Sequence, residues 1–400
     1  MVETLILFVL AGCALGTITG LVPGIHVNTI AIIALELFRA GRFELVALIV
    51  SMSIVHSFVD FIPSILLAVP SGDNLMSVLP GHRFFLKGAG HYAVTLTVLG
   101  GVVGGVMALV VSPIFLKFLQ ENISFIGAGV PFVLATILTL MVLDEKDVEK
   151  KVFSIGIIIA SSLLGIIVLS PTFAIKNPLM ALILGFFGMA PLLHSLKDKP
   201  VPIKQSTGGE EFGGKMVFEN AALSVLAASF VSMFPGIGAN QAALAMRTVV
   251  GKIKSSDYLV LLGGINTSNM LFSLVALYAV GKTRTGTAAA IKQLIELQAE
   301  HMWVLAAVCV IAIAFGAIAT IALSKQALKI IGKFDYSKLN LGVLAMLVAI
   351  VAFLSNSVGM VAFAIATIIG FSAISFEVKR SHCMAFLITP TIFYYLNILI

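Results

Sequence analysis

Two copies of Pro-Gly-Ile-x-x-Asn stand about half the chain apart, Pro23-Gly24-Ile25-His26-Val27-Asn28 and Pro235-Gly236-Ile237-Gly238-Ala239-Asn240. Each is embedded in an apolar stretch, where Pro and Gly interrupt a helix and leave backbone N–H and C=O groups without intrahelical partners. A helix restarting after such a break presents unpaired N–H groups and its positive dipole end, which suit a carboxylate or phosphate. Asn28 and Asn240 add amide donors and acceptors, and His26 adds a group able to bond an anion or carry a proton. The carbonyl end of the preceding half-helix suits Na⁺ or a proton-carrying water. One copy alone reads equally well as a packing kink. Two copies at matching places in two halves point to a transporter binding site.

Other polar residues in apolar runs extend this chemistry. His56 and Asp60 are four apart, on one helical face, and are candidates for ion coupling or for a structural pair. A second polar interruption, Val69-Pro70-Ser71-Gly72-Asp73-Asn74, offers Ser71 and Gly72 to a substrate and the hard oxygens of Asp73 and Asn74 to a cation. Arg83 is the nearest fixed cation able to clamp an anion. The second half has its own later interruption, Gly281-Lys282-Thr283-Arg284-Thr285-Gly286-Thr287, preceded by the polar run Asn266-Thr267-Ser268-Asn269. Asn266 and Asn269 either line a pathway or join helices. Residues 287–300 read as an amphipathic surface helix.

The elements that must position these groups follow from composition. With 59% hydrophobic and 11% charged residues and a mean hydropathy of +1.10, the 400 residues cannot be buried in one soluble core. The fold class is an all-α polytopic membrane protein of about 10–12 transmembrane helices plus re-entrant hairpins. Candidate spans are 43–69, 91–116, 123–143, 152–170, 178–196, 258–281, 301–324, 339–354, 357–376 and 383–400. Runs 1–38 and 217–250 each contain a Pro-Gly break and are read as hairpins. The polar segment 197–215, with its prolines and paired glycines, divides the chain into membrane repeat 1 (1–196) and membrane repeat 2 (216–400), read as inverted. The N-terminus lacks the basic region of a cleaved signal and is expected to be retained. Gly100-Gly101 and Gly104-Gly105 suit close helix packing, within the chain or across a homodimer.

A net charge of +6 is spread over loops without a basic, aromatic-laced stripe, so nucleic acid is excluded as partner and the lipid bilayer is the expected surroundings. Cys13, Cys309 and Cys383 lack metal or redox spacing. No catalytic metal cluster, nucleotide loop or nucleophile elbow is present, so no enzyme activity and no cofactor is expected, Na⁺ as a coupling ion aside.

Gly16-Thr17-Ile18-Thr19-Gly20-Leu21-Val22-Pro23-Gly24, Ser64-Ile65-Leu66-Leu67-Ala68-Val69-Pro70-Ser71-Gly72 and Leu79-Pro80-Gly81-His82-Arg83 through Gly90 occur in that order. Together with the second Pro-Gly copy they resemble the large membrane subunit of the tripartite tricarboxylate transporters, the TctA-like family. Ser71 stands where that family has Gly, and His82-Arg83 where it has Gly-Tyr. The resemblance implies secondary transport of a di- or tricarboxylate driven by a Na⁺ or H⁺ gradient, in the cytoplasmic membrane. It also implies a small membrane subunit and a solute-binding protein as partners. Residues 23–31 further resemble an element of polyprenyl-phosphate transporters, which leaves translocation of a lipid-phosphate anion as the alternative.

Overall fold

The computed structural model describes residues 2–22, 27, 43–69, 75–195, 204–206, 211–233, 239–251, 253–281, 285–331 and 336–398. Every regular element among them is helical. The first half contains α1 (Val2–Leu21), α2 (Phe43–Val59), its short continuation α3 (Phe61–Leu66), a 3₁₀ turn at Leu75–Ser77, α4 (Val78–Phe85) and α5 (Gly90–Leu143). It continues through α6 (Val148–Leu169), α7 (Pro178–Ile183), a π-helical turn at Leu184–Met189 and α8 (Ala190–Ser195). The second half contains α9 (Gly214–Ser232), α10 (Ala239–Val250), α11 (Ser255–Val280), α12 (Gly286–Leu294) and α13 (Ala299–Ile331). It ends with α14 (Tyr336–Leu354), α15 (Ser357–Ser375), a 3₁₀ turn at Arg380–Met384 and α16 (Ala385–Tyr395).

Among the described residues, eight helices are long and apolar enough to cross a bilayer. Three shorter apolar helices, Gly129–Leu143, Pro178–His194 and Asn340–Leu354, accompany them. The protein is therefore a multi-pass, all-α membrane protein. Several expected boundaries differ: the span read at 383–400 is a 3₁₀ turn and an 11-residue helix with Pro390 inside it, and the runs 1–38 and 217–250, read as hairpins, each begin with a helix, Val2–Leu21 and Gly214–Ser232, long enough to span by itself. The spans read at 91–116 and 123–143 are one continuous helix of 54 residues with Pro113 and Pro131 inside it. The polar residues between them, Lys117, Gln120 and Glu121, are good helix formers, so hydropathy falls while the helix continues. The helix read over 287–300 stops at Leu294, and residues 295–298 are not helical. Ala288, Ala290 and Ile291 are buried and α12 packs on α2, so its apolar face meets protein rather than lipid headgroups.

Two helices lie at the centre. The apolar windows of Phe43–Leu66 and Ser255–Val280 are each 94% buried, against 33–50% for the other spans. α2 packs on α1 and on α13 from the second half, while α11 packs on α9 and on α5 from the first. The halves thus interlock. Lipid removes the usual hydrophobic drive between helices, so close van der Waals approach and interhelical hydrogen bonds must hold them. Small residues supply the approach: a Cβ at Gly100 would collide with the Val260 carbonyl, and one at Gly263 with the Thr97 carbonyl. Gly101 faces Phe58, Gly104 faces Gly264, and Gly105 faces Ile313. Both glycine pairs are therefore spent on packing inside the chain. Ser268 Oγ donates to the Gly104 carbonyl at 3.1 Å and Ser51 Oγ to the Val9 carbonyl at 3.1 Å.

Outward faces carry large apolar side chains such as Ile114, Ile318, Phe353 and Ile368, all exposed, as lipid contact requires. A smaller apolar cluster of α7, the π-turn, α14 and α15 reaches the end of α3 through Ala68 and Val69. Cys13, Cys309 and Cys383 are buried free thiols.

Candidate substrate site at the helix interruptions

Pro23, Gly24, His26, Asn28, Ser71, Gly72, Asp73, Asn74, Pro235, Gly236 and Gly238 lie outside the described residues. Their flanks are described. α1 ends at Leu21, just before Pro23-Gly24, and α9 ends at Ser232 while α10 begins at Ala239, so Pro235-Gly236 falls between two helices. The later interruptions follow the same logic. α3 gives way to Ala68 at a left-handed φ of 54°, a conformation that costs a residue with a Cβ about 1–2 kcal/mol. α11 ends on Gly281 at φ 62°, where the missing Cβ removes that cost, and α12 restarts with the Thr285 hydroxyl accepting from Ala288 N–H at 3.1 Å.

Interruptions from the two halves meet. Asn240, in the first turn of α10 and 3% exposed, accepts a hydrogen bond at its Oδ1 from Met76 N–H at 3.3 Å. Met76 lies in the turn that follows the first half's second break. At the other pairing, Ser53 Oγ of α2 lies 3.1 Å from Thr287 Oγ1, the second residue of α12. Val50, Ser53, Ser273, Thr285 and Thr287 line a small cavity there of about 10 Å³, near the size one water needs. Asn240 therefore binds one interruption to another through its carbonyl oxygen.

His56 and Asp60 share a face as their spacing predicts, with Nε2 to Oδ2 at 3.8 Å and both side chains buried. His56 Nδ1 lies 3.0 Å from Thr19 Oγ1, whose own proton goes to the Gly16 carbonyl at 3.2 Å. The Thr19 oxygen thus accepts from Nδ1–H, which leaves Nε2 turned toward the Asp60 carboxyl. Asn266 and Asn269 join helices. Asn266 Nδ2 donates to the Ser57 carbonyl at 3.2 Å, and Asn269 Oδ1 accepts from Ser232 Oγ at 3.1 Å, at the end of α9 beside the second Pro-Gly break.

Two groups escaped the sequence reading. Arg83 does not stand alone, since Arg247 on α10 shares a recess with it; its signal was being the one charge after the motif in an apolar run. The mixed-charge segment 144–151 clasps the chain around residues 377–382 through a buried Glu145 flanked by exposed ion pairs. Glu145 Oε1 accepts from His382 Nε2 at 2.8 Å and from Lys379 N–H at 3.0 Å, while Lys379 Nζ reaches Asp144 Oδ2 at 2.6 Å and Lys150 reaches Glu377 at 2.9 Å. These partners lie more than 200 residues apart in sequence. Gln205, from the central polar segment, bridges Gly90 N–H and the Phe85 carbonyl.

A multi-pass helical bundle whose interrupted helices bring buried polar groups of both halves together has the form of a membrane transport protein. The chain belongs to the tripartite tricarboxylate transporter TctA family, whose model matches residues 6–385. It is a transporter component and not an enzyme, in keeping with the resemblance carried by residues 16–24, 64–72 and 79–90. It is 29% identical over 401 residues to an uncharacterized protein of Methanocaldococcus jannaschii, covering 98% of this chain and 99% of that one. No solved structure matches it.

Proposed function

We propose that this chain is the translocating subunit of a carboxylate transporter, moving a di- or tricarboxylate by alternating access around the paired interruptions. The observation that carries this reading is the Met76–Asn240 contact, which joins the restart after one half's break to the restart after the other's. Elements gathered in this way expose unpaired backbone groups to a ligand without exposing them to lipid. The two halves act as repeats: span, break, short helix and long span recur, the last of these as α5 and α13. The His56–Asp60 pair, buried at the middle of the bundle, is the coupling group for H⁺; the oxygens of Asp73 and Asn74 are the counterpart for Na⁺. Family membership favours a carboxylate over a polyprenyl phosphate, and a small membrane subunit and solute-binding protein as partners.

Uptake of labelled citrate and succinate into proteoliposomes tests the reading. Accumulation should require an inward H⁺ or Na⁺ gradient, and Asn240→Ala should cut the rate at least tenfold, the range of a misplaced binding element. Accumulation that ignores both gradients would refute secondary transport.

A further inference from the structure

α4 and α10 both lead away from the Met76–Asn240 contact. Arg83 is seven residues beyond Met76, and Arg247 is seven beyond Asn240. Both arrive at one recess of about 80 Å³, lined by Pro80, Arg83, Arg247, Ile253, Ser255 and Tyr258. Two helical turns span about 10 Å, so the recess lies one short step from the interruptions. Three features make it anionophilic. Both guanidiniums are exposed, and among the described residues no carboxylate lies within ion-pair distance of either. The start of the 26-residue α11 lies at the recess through Ser255, and its N-cap, Lys254, makes no side-chain cap, so the first N–H groups keep room for an acceptor although Asp257 in the first turn offsets part of the helix's positive end. Outside the recess lining, but near enough to feel the Arg83 charge, Arg380 has a buried Nη1 without a hydrogen-bond partner. Burial, with the Arg83 charge adding to it and Cys383 opposing, pulls that guanidinium down to about 10.

Two guanidiniums sharing a recess with no carboxylate within ion-pair distance repel one another, and an anion relieves that repulsion. We propose that this recess is the capture site of the transporter, where Arg83, Arg247 and the first N–H groups of α11 take the carboxylates of an incoming di- or tricarboxylate before it reaches the interruptions. This rests on the carboxylate-transport reading above and adds to it the residues that gather the substrate. Arg247 stacks over the Tyr258 ring at 5.9 Å, which fixes the fork in place, and Ile253 and Pro80 offer an apolar wall to the methylene carbons. Separate guanidiniums on two helices favour a ligand with two or more carboxylates over a monoanion. About 80 Å³ holds one carboxylate and its neighbouring carbon, so the remainder of the ligand lies toward the opening.

The test is calorimetric binding of citrate, succinate and acetate to the full chain in phosphatidylcholine nanodiscs at low salt, paired with uptake. Arg83→Gln and Arg247→Gln should each weaken citrate binding by about tenfold or more and raise KM with little change in maximal rate. Their Lys counterparts should retain most of the affinity, and acetate should bind weakly throughout. Should wild-type protein bind and transport none of the carboxylates, the transport reading itself fails. Should wild type bind citrate while both Gln variants bind it equally well, only the capture site fails. Equal losses in Lys and Gln variants would assign the effect to packing and overturn the site. Unchanged citrate binding, with a loss of stabilisation by phosphatidylglycerol, would give the recess to a lipid headgroup instead.

Discussion

At the residue scale, the Glu145–His382 pair sets a pH dependence whose sign can be worked out. Burial alone raises the Glu145 carboxyl, but the Lys379 N–H, the His382 ring and the Lys379 charge outweigh it and hold the group below its ordinary value. Burial lowers His382 against the pull of Glu145, because a proton on Nδ1 would be a buried donor without an acceptor. Both shifts are downward. From about pH 6.5 the unfolded chain takes up a proton that folded His382 refuses, and further down the stabilisation from ionised Glu145 is lost as pH falls through its lowered value. The melting temperature of the solubilised protein should therefore drop between pH 7 and pH 5. His382→Gln should flatten the upper part of that slope; an unaltered slope would remove the histidine from it. Glu145→Ala strands a buried network and should cost about 3–5 kcal/mol in a denaturation experiment. The same scale holds the coupling prediction. If the His56–Asp60 pair carries the coupling proton as proposed, Asp60→Asn should abolish accumulation against a gradient while leaving carboxylate exchange measurable, since it removes the ionisable group and keeps the volume.

At the element scale, the α5–α11 seam is where backbone meets backbone. Gly100→Ala puts a methyl into the Val260 carbonyl, and neither helix can withdraw without opening the Gly104–Gly264 approach. The expected cost is about 1–3 kcal/mol, read as a lowered melting temperature. Gly156→Ala on α6 has open space around the new methyl, so it should be neutral or stabilising by up to about 1 kcal/mol through helix propensity. Similar losses from both variants would mean that the seam is not tight. The interruptions themselves were legible because Pro-Gly in an apolar run has few uses, and Gly281 ends α11 in the left-handed region where the sequence broke polarity. The unbroken α5 was not legible. Hydropathy registers the cost of placing Lys117 and Glu121 in lipid, whereas helix continuation depends on backbone propensity, which those residues satisfy.

At the scale of the whole molecule, alternating access requires the interruptions of one half to part from their partners in the other. Ser53 and Thr287, with side-chain oxygens 3.1 Å apart across the halves, report on that separation. A Ser53→Cys/Thr287→Cys double variant should lose uptake on oxidation and regain it on reduction. The native thiols are all buried, so they should not contribute. Uptake that persists in the fully crosslinked protein would rule out movement at this pairing.

The amino-acid sequence by itself determined the solvent, the helical class, the places where helices break and the spacing of His56 with Asp60. Composition and short-range periodicity act within a few residues, and these features need nothing more. Only the tertiary structure decided which break meets which, that Asn240 holds Met76, that Arg247 joins Arg83, and that Glu145 finds His382. Each of those pairings closes a loop of more than 100 residues. What selects them is the fit of small residues between α5 and α11 and the need to satisfy polar groups where no water competes, and neither is written in any local stretch of the chain.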